Sequence, residues 1–180
     1  MGLPDQLTLT RILSVPVVVL LYEWEFPHNE YWATVVFALA MATDWLDGRL
    51  ARRWDRTSPL GSLLDPIADK VLVLSVLIVL LDDNVFPAWM VAAIVAREFL
   101  VTGLRLAALE KGVVVHARDL GKLKTWAQAV AAAVGGFAAA GAWDDAAAWW
   151  TLLVALVLTW LSGLDYAREA PALLRRRAVA

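Results

Sequence analysis

The sequence predicts an all-α integral membrane protein: a single domain over residues 1–180 with six transmembrane helices and a polar site at the cytoplasmic side. Three observations point there. The chain is 61% hydrophobic and only 19% charged, with a mean hydropathy of +0.62, which is too apolar for an ordinary soluble domain. Its apolar residues fall into blocks of roughly the 20 residues needed to cross a bilayer. Its basic and acidic residues segregate into alternate connections between those blocks. The net charge of -2 says little, because in a membrane protein the distribution of charge outweighs its sum.

Taken in order, the helices are expected at about 7–24, 31–52, 60–81, 86–109, 121–142 and 146–167. The first follows a short polar start, MGLPDQ, and contains Pro16, whose kink neighbouring helices can repair in a membrane. Asp5 and Arg11 come early and no small-residue cleavage site follows, so no cleavable signal is expected. The second block ends in polar residues from Asp44 onward. Ser58-Pro59 reads as an N-cap followed by a first-turn proline, which starts the third helix. The fourth carries Arg97, Glu98 and Arg105. The fifth is crowded with small residues, AVAAAVGGFAAAG, which suit close helix packing. The sixth carries no charge until Asp165. No internal repeat is visible.

The connections near 25–30, 82–85 and 143–146 hold Glu25, Glu30, Asp82, Asp83, Asp144 and Asp145, and no Lys or Arg. The opposite side holds Arg52, Arg53, Arg56, Lys111, Arg118, Lys122, Lys124, Arg168 and the Arg175–Arg177 run. The positive-inside rule therefore places both termini and the 52–59 and 110–121 connections in the cytoplasm. Trp24, Trp32, Trp89, Trp143, Trp149 and Trp150 fall near the expected interfaces as an aromatic belt. They form no platform for a cofactor or nucleic acid. The arginine run reads as a topology anchor with some affinity for anionic lipid. The absence of cysteine rules out disulfides, thiolate metal sites and a cysteine nucleophile.

The polar stretch DWLDGRLARRWDRTSPLGSLLDPIADK, Asp44 to Lys70, stands out between apolar flanks. Asp44 and Asp47 are three apart, Asp65 and Asp69 four apart, and on helices each spacing puts both carboxylates on one face. Any one of them reads equally well as a solvated helix end. Four together, beside a membrane, call for cations to offset them. Hard oxygen donors suit Mg²⁺ or Mn²⁺, and two such ions would neutralise a diphosphate and polarise its phosphorus. Gly48 and Ala51 allow either tight helix packing or close approach of a bulky substrate group. Arg52 is either a phosphate ligand or a snorkelling anchor. Gly61, one turn before Asp65, lets the two motif helices come together.

These residues resemble the signature of the CDP-alcohol phosphatidyltransferases. Asp44, Asp47, Gly48, Ala51, Arg52, Gly61, Asp65 and Asp69 fill all eight signature positions at the family spacing. The resemblance implies that Asp44, Asp47 and Asp65, helped by Asp69, bind two divalent metals, and that Asp69 is the general base. It implies that Gly48, Ala51 and Arg52 accommodate the CDP group of a CDP-linked lipid. An acceptor hydroxyl would attack the phosphorus attached to diacylglycerol, and CMP would leave. A homodimer in a bacterial cytoplasmic membrane is implied as well.

DPIADK (Asp65–Lys70), VAREFLVTGLR (Val95–Arg105), GKLKTWAQ (Gly121–Gln128) and LTLTR (Leu7–Arg11) resemble the branch of the family that forms phosphatidylglycerophosphate. Its substrates are CDP-diacylglycerol and glycerol 3-phosphate. A small dianion needs fixed cations, and Arg105, Lys122 and Lys124, supported by Arg97, are the expected acceptor-phosphate site. Positive-inside anchoring accounts for the same residues less specifically. Arg97 lies far from a helix end, where an arginine needs a partner or a function. Glu98, its neighbour in sequence, is expected to point elsewhere, leaving an aspartate across the bundle as the partner. His116 and Arg118 either line the site's entrance or are merely solvated. A family member using phosphatidylglycerol would need fewer cations, and one using inositol phosphate fits these stretches less well. A cation transporter would place its acids at mid-bilayer on broken helices, and a membrane scaffold would not require the signature.

Overall fold

The structure is a computed structural model that describes the backbone of residues 3–51, 59–110 and 119–175, and side chains within 10–43, 70–108 and 120–166. Among the described residues every regular element is an α-helix: α1 Leu3–Glu23, α2 Asn29–Ala51, α3 Pro59–Asp82, α4 Ala88–Glu110, α5 Asp119–Ala139 and α6 Asp145–Arg175. Six helices were expected, and their order and approximate positions hold. Their ends differ for local reasons.

Helix α1 begins at Leu3 rather than residue 7, because a proline in the first turn lacks only an N–H that has no partner within the helix. Pro16 lies inside it. Helix α3 opens on Pro59 as expected. It ends at Asp82, and Asn84 just beyond takes φ 57°. The amides of Asn84 and Val85 donate back to the carbonyls of Leu81 (3.1 Å) and Leu80 (3.2 Å), which satisfies the helix end. Helix α4 starts at Ala88, not 86, because a residue preceding proline is driven out of the helical region. Helix α5 stops at Ala139, three residues early, where Gly141 takes φ 68°. Its amide donates to Ala138 O at 2.8 Å, and that of Ala142 to Phe137 O at 2.9 Å. Helix α6 runs to Arg175, well past the expected 167, because eight of the nine residues after its apolar block, AREAPALLR, are strong helix formers that carry it past Pro171.

The chain forms two compact units. The first comprises Met1–Phe86 and Ala132–Trp149. In it α1 packs against both α2 and α3. Leu72, Val73, Val76, Leu77 and Leu80 of α3 are buried at the spacing of one helix face. A glycine pair on α5 lets side chains in closely: a Cβ on Gly135 would strike the Phe86 ring, and one on Gly136 the Thr34 and Tyr22 hydroxyls. Those two hydroxyls are hydrogen-bonded at 2.8 Å.

The second unit comprises Pro87–Ala131 and Trp150–Ala180. The buried face of α4 begins with Met90, Val91 and Ile94, then continues through Arg97 and Glu98 to Val101. That of α6 runs Leu152, Ala155, Thr159, Ser162 and Tyr166. Both are apolar stripes interrupted by polar groups. Large apolar side chains cover the outside instead: Leu20, Leu39, Ile78, Phe99, Leu100 and Val154 are all more than half exposed. Among the described residues one helix stretch, Asp145–Tyr166, is long and apolar enough throughout to cross a membrane on that ground alone. Helix α4 carries Arg97, Glu98 and Arg105 within its length.

Candidate active site

The aspartate motif lies on two helices of the first unit. The backbone of α2 is unbroken through Asp44, Asp47, Gly48 and Ala51, and that of α3 through Gly61, Asp65 and Asp69. The helical rise separates Asp44 from Asp47 by about 4.5 Å along the axis, and Asp65 from Asp69 by about 6 Å. Each pair thus occupies one face of its helix, as its spacing predicts. The side chains of these seven residues lie outside the described residues, as do Arg52, His116 and Arg118 entirely. Among the described residues no group of three or more acids, histidines or cysteines is placed to hold a metal.

The basic residues lie in the second unit, and here the side chains form a connected network. Arg97 is only 2% exposed. Its Nη1 donates to Glu98 Oε1 at 2.9 Å and its Nη2 to Ser162 Oγ at 2.9 Å. Lys124 Nζ donates to the same Glu98 oxygen, forming a buried ion pair. Gln128 Nε2 reaches it at 3.3 Å and also donates to Thr159 Oγ1 at 2.8 Å. One carboxylate oxygen on α4 therefore gathers donors from α4 and α5, and the network closes at two points on α6. Buried ions are tolerated where each is paired and hydrogen-bonded in this way.

Arg105, two turns beyond Arg97, meets α6 one turn further along. It donates to the Tyr166 hydroxyl, and its guanidinium carbon lies 4.7 Å from the centroid of that ring, within cation–π range. Lys122 is exposed near the start of α5. Of the four expected acceptor-site cations, then, Arg97 and Lys124 converge through Glu98. Arg105, further along α4, meets the neighbouring part of α6 through Tyr166, and Lys122 faces outward.

One expectation is corrected. Glu98 is Arg97's ion-pair partner, where its adjacency had suggested a different direction. Adjacent helical residues diverge by about 100° at the backbone, but the long arginine side chain curves back across that angle. The importance of Gln128, Thr159, Ser162 and Tyr166 was also missed. The signal was present: Lys124 and Gln128 are four apart, and Thr159, Ser162 and Tyr166 recur at helical spacing in an otherwise apolar block.

Comparison with known proteins adds the chemistry. The profile of the family described as CDP-alcohol phosphatidyltransferase matches residues 1–161. The CDP-diacylglycerol–glycerol-3-phosphate 3-phosphatidyltransferase of Bacillus subtilis (strain 168) is 41% identical over 142 residues, covering 72% of this chain and 74% of that protein. The protein of the same name from Escherichia coli (strain K12) is 39% identical over 137 residues, covering 73% and 75%. That from Pseudomonas fluorescens is 38% identical over 135 residues, covering 74% and 68%.

Proposed function

The chain belongs to the CDP-alcohol phosphatidyltransferase family, and from that premise we infer its reaction. It transfers the phosphatidyl group of CDP-diacylglycerol to glycerol 3-phosphate, giving phosphatidylglycerophosphate and CMP, a step of phospholipid biosynthesis. The observation that carries this reading is the identity of about two residues in five with relatives bearing that activity in their names, together with a family match over residues 1–161 that includes the complete eight-residue signature.

The assignment of roles is the one the family signature implies, and the donor chemistry supports it. Asp44, Asp47, Asp65 and Asp69 are all hard oxygen ligands, paired on the faces of two continuous helices, and that set fits two divalent ions, Mg²⁺ or Mn²⁺. When bound, such ions neutralise the diphosphate and make its phosphorus more electrophilic. Gly48 and Ala51 leave the α2 backbone open to the CDP group, with Gly61 allowing close approach and Arg52 supplying a cation. Asp69 takes the proton of the acceptor hydroxyl as its oxygen forms a bond to the diacylglycerol-linked phosphorus. The bond from that phosphorus to the bridging oxygen breaks, and CMP departs with the electron pair. Arg105, Lys122 and Lys124, with Arg97 behind them, hold the acceptor's phosphate dianion.

The protein acts in the membrane, its bundle of six helices immersed in lipid and its site at the cytoplasmic face of the bacterial inner membrane. The apolar outer faces and the exposed tryptophans near helix ends (Trp24, Trp32, Trp89, Trp143 and Trp150) support immersion. The same reading has both termini cytoplasmic and the protein a homodimer. The decisive assay is CMP release from CDP-diacylglycerol by the purified protein with Mg²⁺, offering glycerol 3-phosphate, phosphatidylglycerol or inositol phosphate separately. Release with glycerol 3-phosphate alone is expected. Release with phosphatidylglycerol alone would overturn the acceptor assignment.

A further inference from the structure

Gly163 follows Ser162 on α6, and its place is decided by Arg97. A Cβ at this position would lie 2.9 Å from Arg97 Nε, 3.3 Å from Cγ and 3.7 Å from Cδ. These are atoms of the shaft, not of a free tip. The shaft is fixed at one end by the α4 backbone. At the other, its two terminal nitrogens are committed to Glu98 and Ser162. A side chain at 163 would therefore displace the whole arginine rather than brush a movable end. Glycine within a helix is otherwise unfavourable by about 1 kcal/mol relative to alanine, so its presence inside α6 matches a need for space. At Gly103 on α4, by contrast, a Cβ would meet nothing within 4 Å.

The hydrogen bonds around this point form a chain that starts and ends on α6. Ser162 accepts from Arg97, Arg97 donates to Glu98, Glu98 accepts from Gln128, and Gln128 donates to Thr159. Both ends of the chain are therefore on α6. Lys124 is bound to the same Glu98 oxygen, so the position of its ammonium depends on where Glu98 is held. Anchored at both ends on α6, this chain of buried hydrogen bonds resists small displacements, which favours a preorganised charge, while Arg97 Nε, beside Gly163, is buried without a hydrogen-bond partner.

We propose that Ser162 and Gly163 form a seat for Arg97, and through the Arg97–Glu98 pair position Lys124 for the phosphate of the acceptor. This rests on the reading of Arg105, Lys122 and Lys124 as the acceptor-phosphate site. Ser162 and Gly163 are positioning residues: they act through Arg97 and touch no substrate.

The test is steady-state kinetics of the full-length protein in detergent micelles, with Gly163→Ala, Ser162→Ala and Lys124→Gln compared in parallel. Gly163→Ala is expected to raise KM for glycerol 3-phosphate about tenfold, with KM for CDP-diacylglycerol within about twofold of the parent. Ser162→Ala, which removes one hydroxyl and adds no bulk, should shift the same KM in the same direction by a few-fold. In an Arg97→Ala background, Gly163→Ala should add nothing, because the clash is gone. Equal rises in both KM values, no rise in either variant, or an undiminished Gly163→Ala effect without Arg97 would overturn the seat. If Gly163→Ala fails to fold, Ser162→Ala alone decides between these outcomes. If Lys124→Gln raises the glycerol 3-phosphate KM while neither seat variant does, the acceptor site stands and only the seat falls. An unchanged KM in Lys124→Gln overturns the acceptor reading and the proposal with it.

Discussion

Among single residues, the four aspartates differ in what their loss should do. An alcohol is a weak nucleophile until its proton is removed, so a base is needed at the moment of attack and not for binding. Asp69→Asn keeps the size of the side chain and an oxygen donor but cannot take the proton. Its turnover, read as CMP release, should fall by about 10²- to 10⁴-fold, while Mg²⁺-dependent retention of radiolabelled CDP-diacylglycerol persists. Turnover near that of the parent would remove Asp69 from the role of base. The pairing of these acids was legible in the sequence, because three or four residues on a helix place two positions on one face; their roles are what the family resemblance implies. Arg97 was legible for a different reason, since an arginine deep in an apolar helix must have a reason to be there. Its partner was not. Adjacency along a helix argues against contact at the backbone, and only the path of the side chain showed that Glu98 lies within reach. Gly163 was hidden more completely, because the space it leaves is defined by α4 and not by its neighbours in α6.

At the scale of the helix, two contrasts are testable. Gly136 on α5 lies against the hydrogen-bonded Tyr22 and Thr34 hydroxyls, where a Cβ would overlap both. Alanine there gains helix propensity but must push apart a closed pair, and overpacking of this kind costs about 1–3 kcal/mol. Gly103→Ala meets no obstacle and should gain up to about 1 kcal/mol. Unfolding midpoints in detergent should therefore move in opposite directions, down for Gly136→Ala and up for Gly103→Ala. Equal shifts would mean that the α5 glycine is not needed for space. The second contrast concerns the end of α3. Partial desolvation, then the charges of Glu30, Asp82 and Glu23, raise the Asp83 carboxyl above its ordinary value of 3.8. A raised acid binds its proton more tightly in the folded chain than in the unfolded one. Stability from this group is present below the ordinary value and lost as pH rises through the raised one. Asp83→Asn should flatten that part of the pH profile of unfolding and raise the midpoint at neutral pH. An unchanged profile would show that the neighbouring acids do not act on it.

For the molecule as a whole, among the described residues, the apolar blocks disclosed the order of the six helices, because long apolar runs favour helix over loop. They disclosed the ends less well. Helix ends are set by a left-handed Gly141, by Pro87, and by the helix-forming residues after Leu164, none of which is bound to the edge of an apolar block. The charge asymmetry makes a separate statement about the whole chain: acids alone in three connections, bases in the others and at the termini. If it reports orientation, the acidic connections face away from the cytoplasm and the CDP-lipid site faces toward it, where glycerol 3-phosphate and the released CMP are soluble. The chain has no cysteine, so single cysteines can be read without background. Asp83→Cys and Asp144→Cys should react with a membrane-impermeant maleimide in intact spheroplasts. His116→Cys should react only once the membrane is opened. Because Asp83 and Asp144 belong to different connections, both must label from outside if the helices between them, α4 and α5, each cross the bilayer. Labelling of one without the other would mean that this pair does not cross as two full spans, and labelling of His116→Cys from outside would reverse the assigned face of the site.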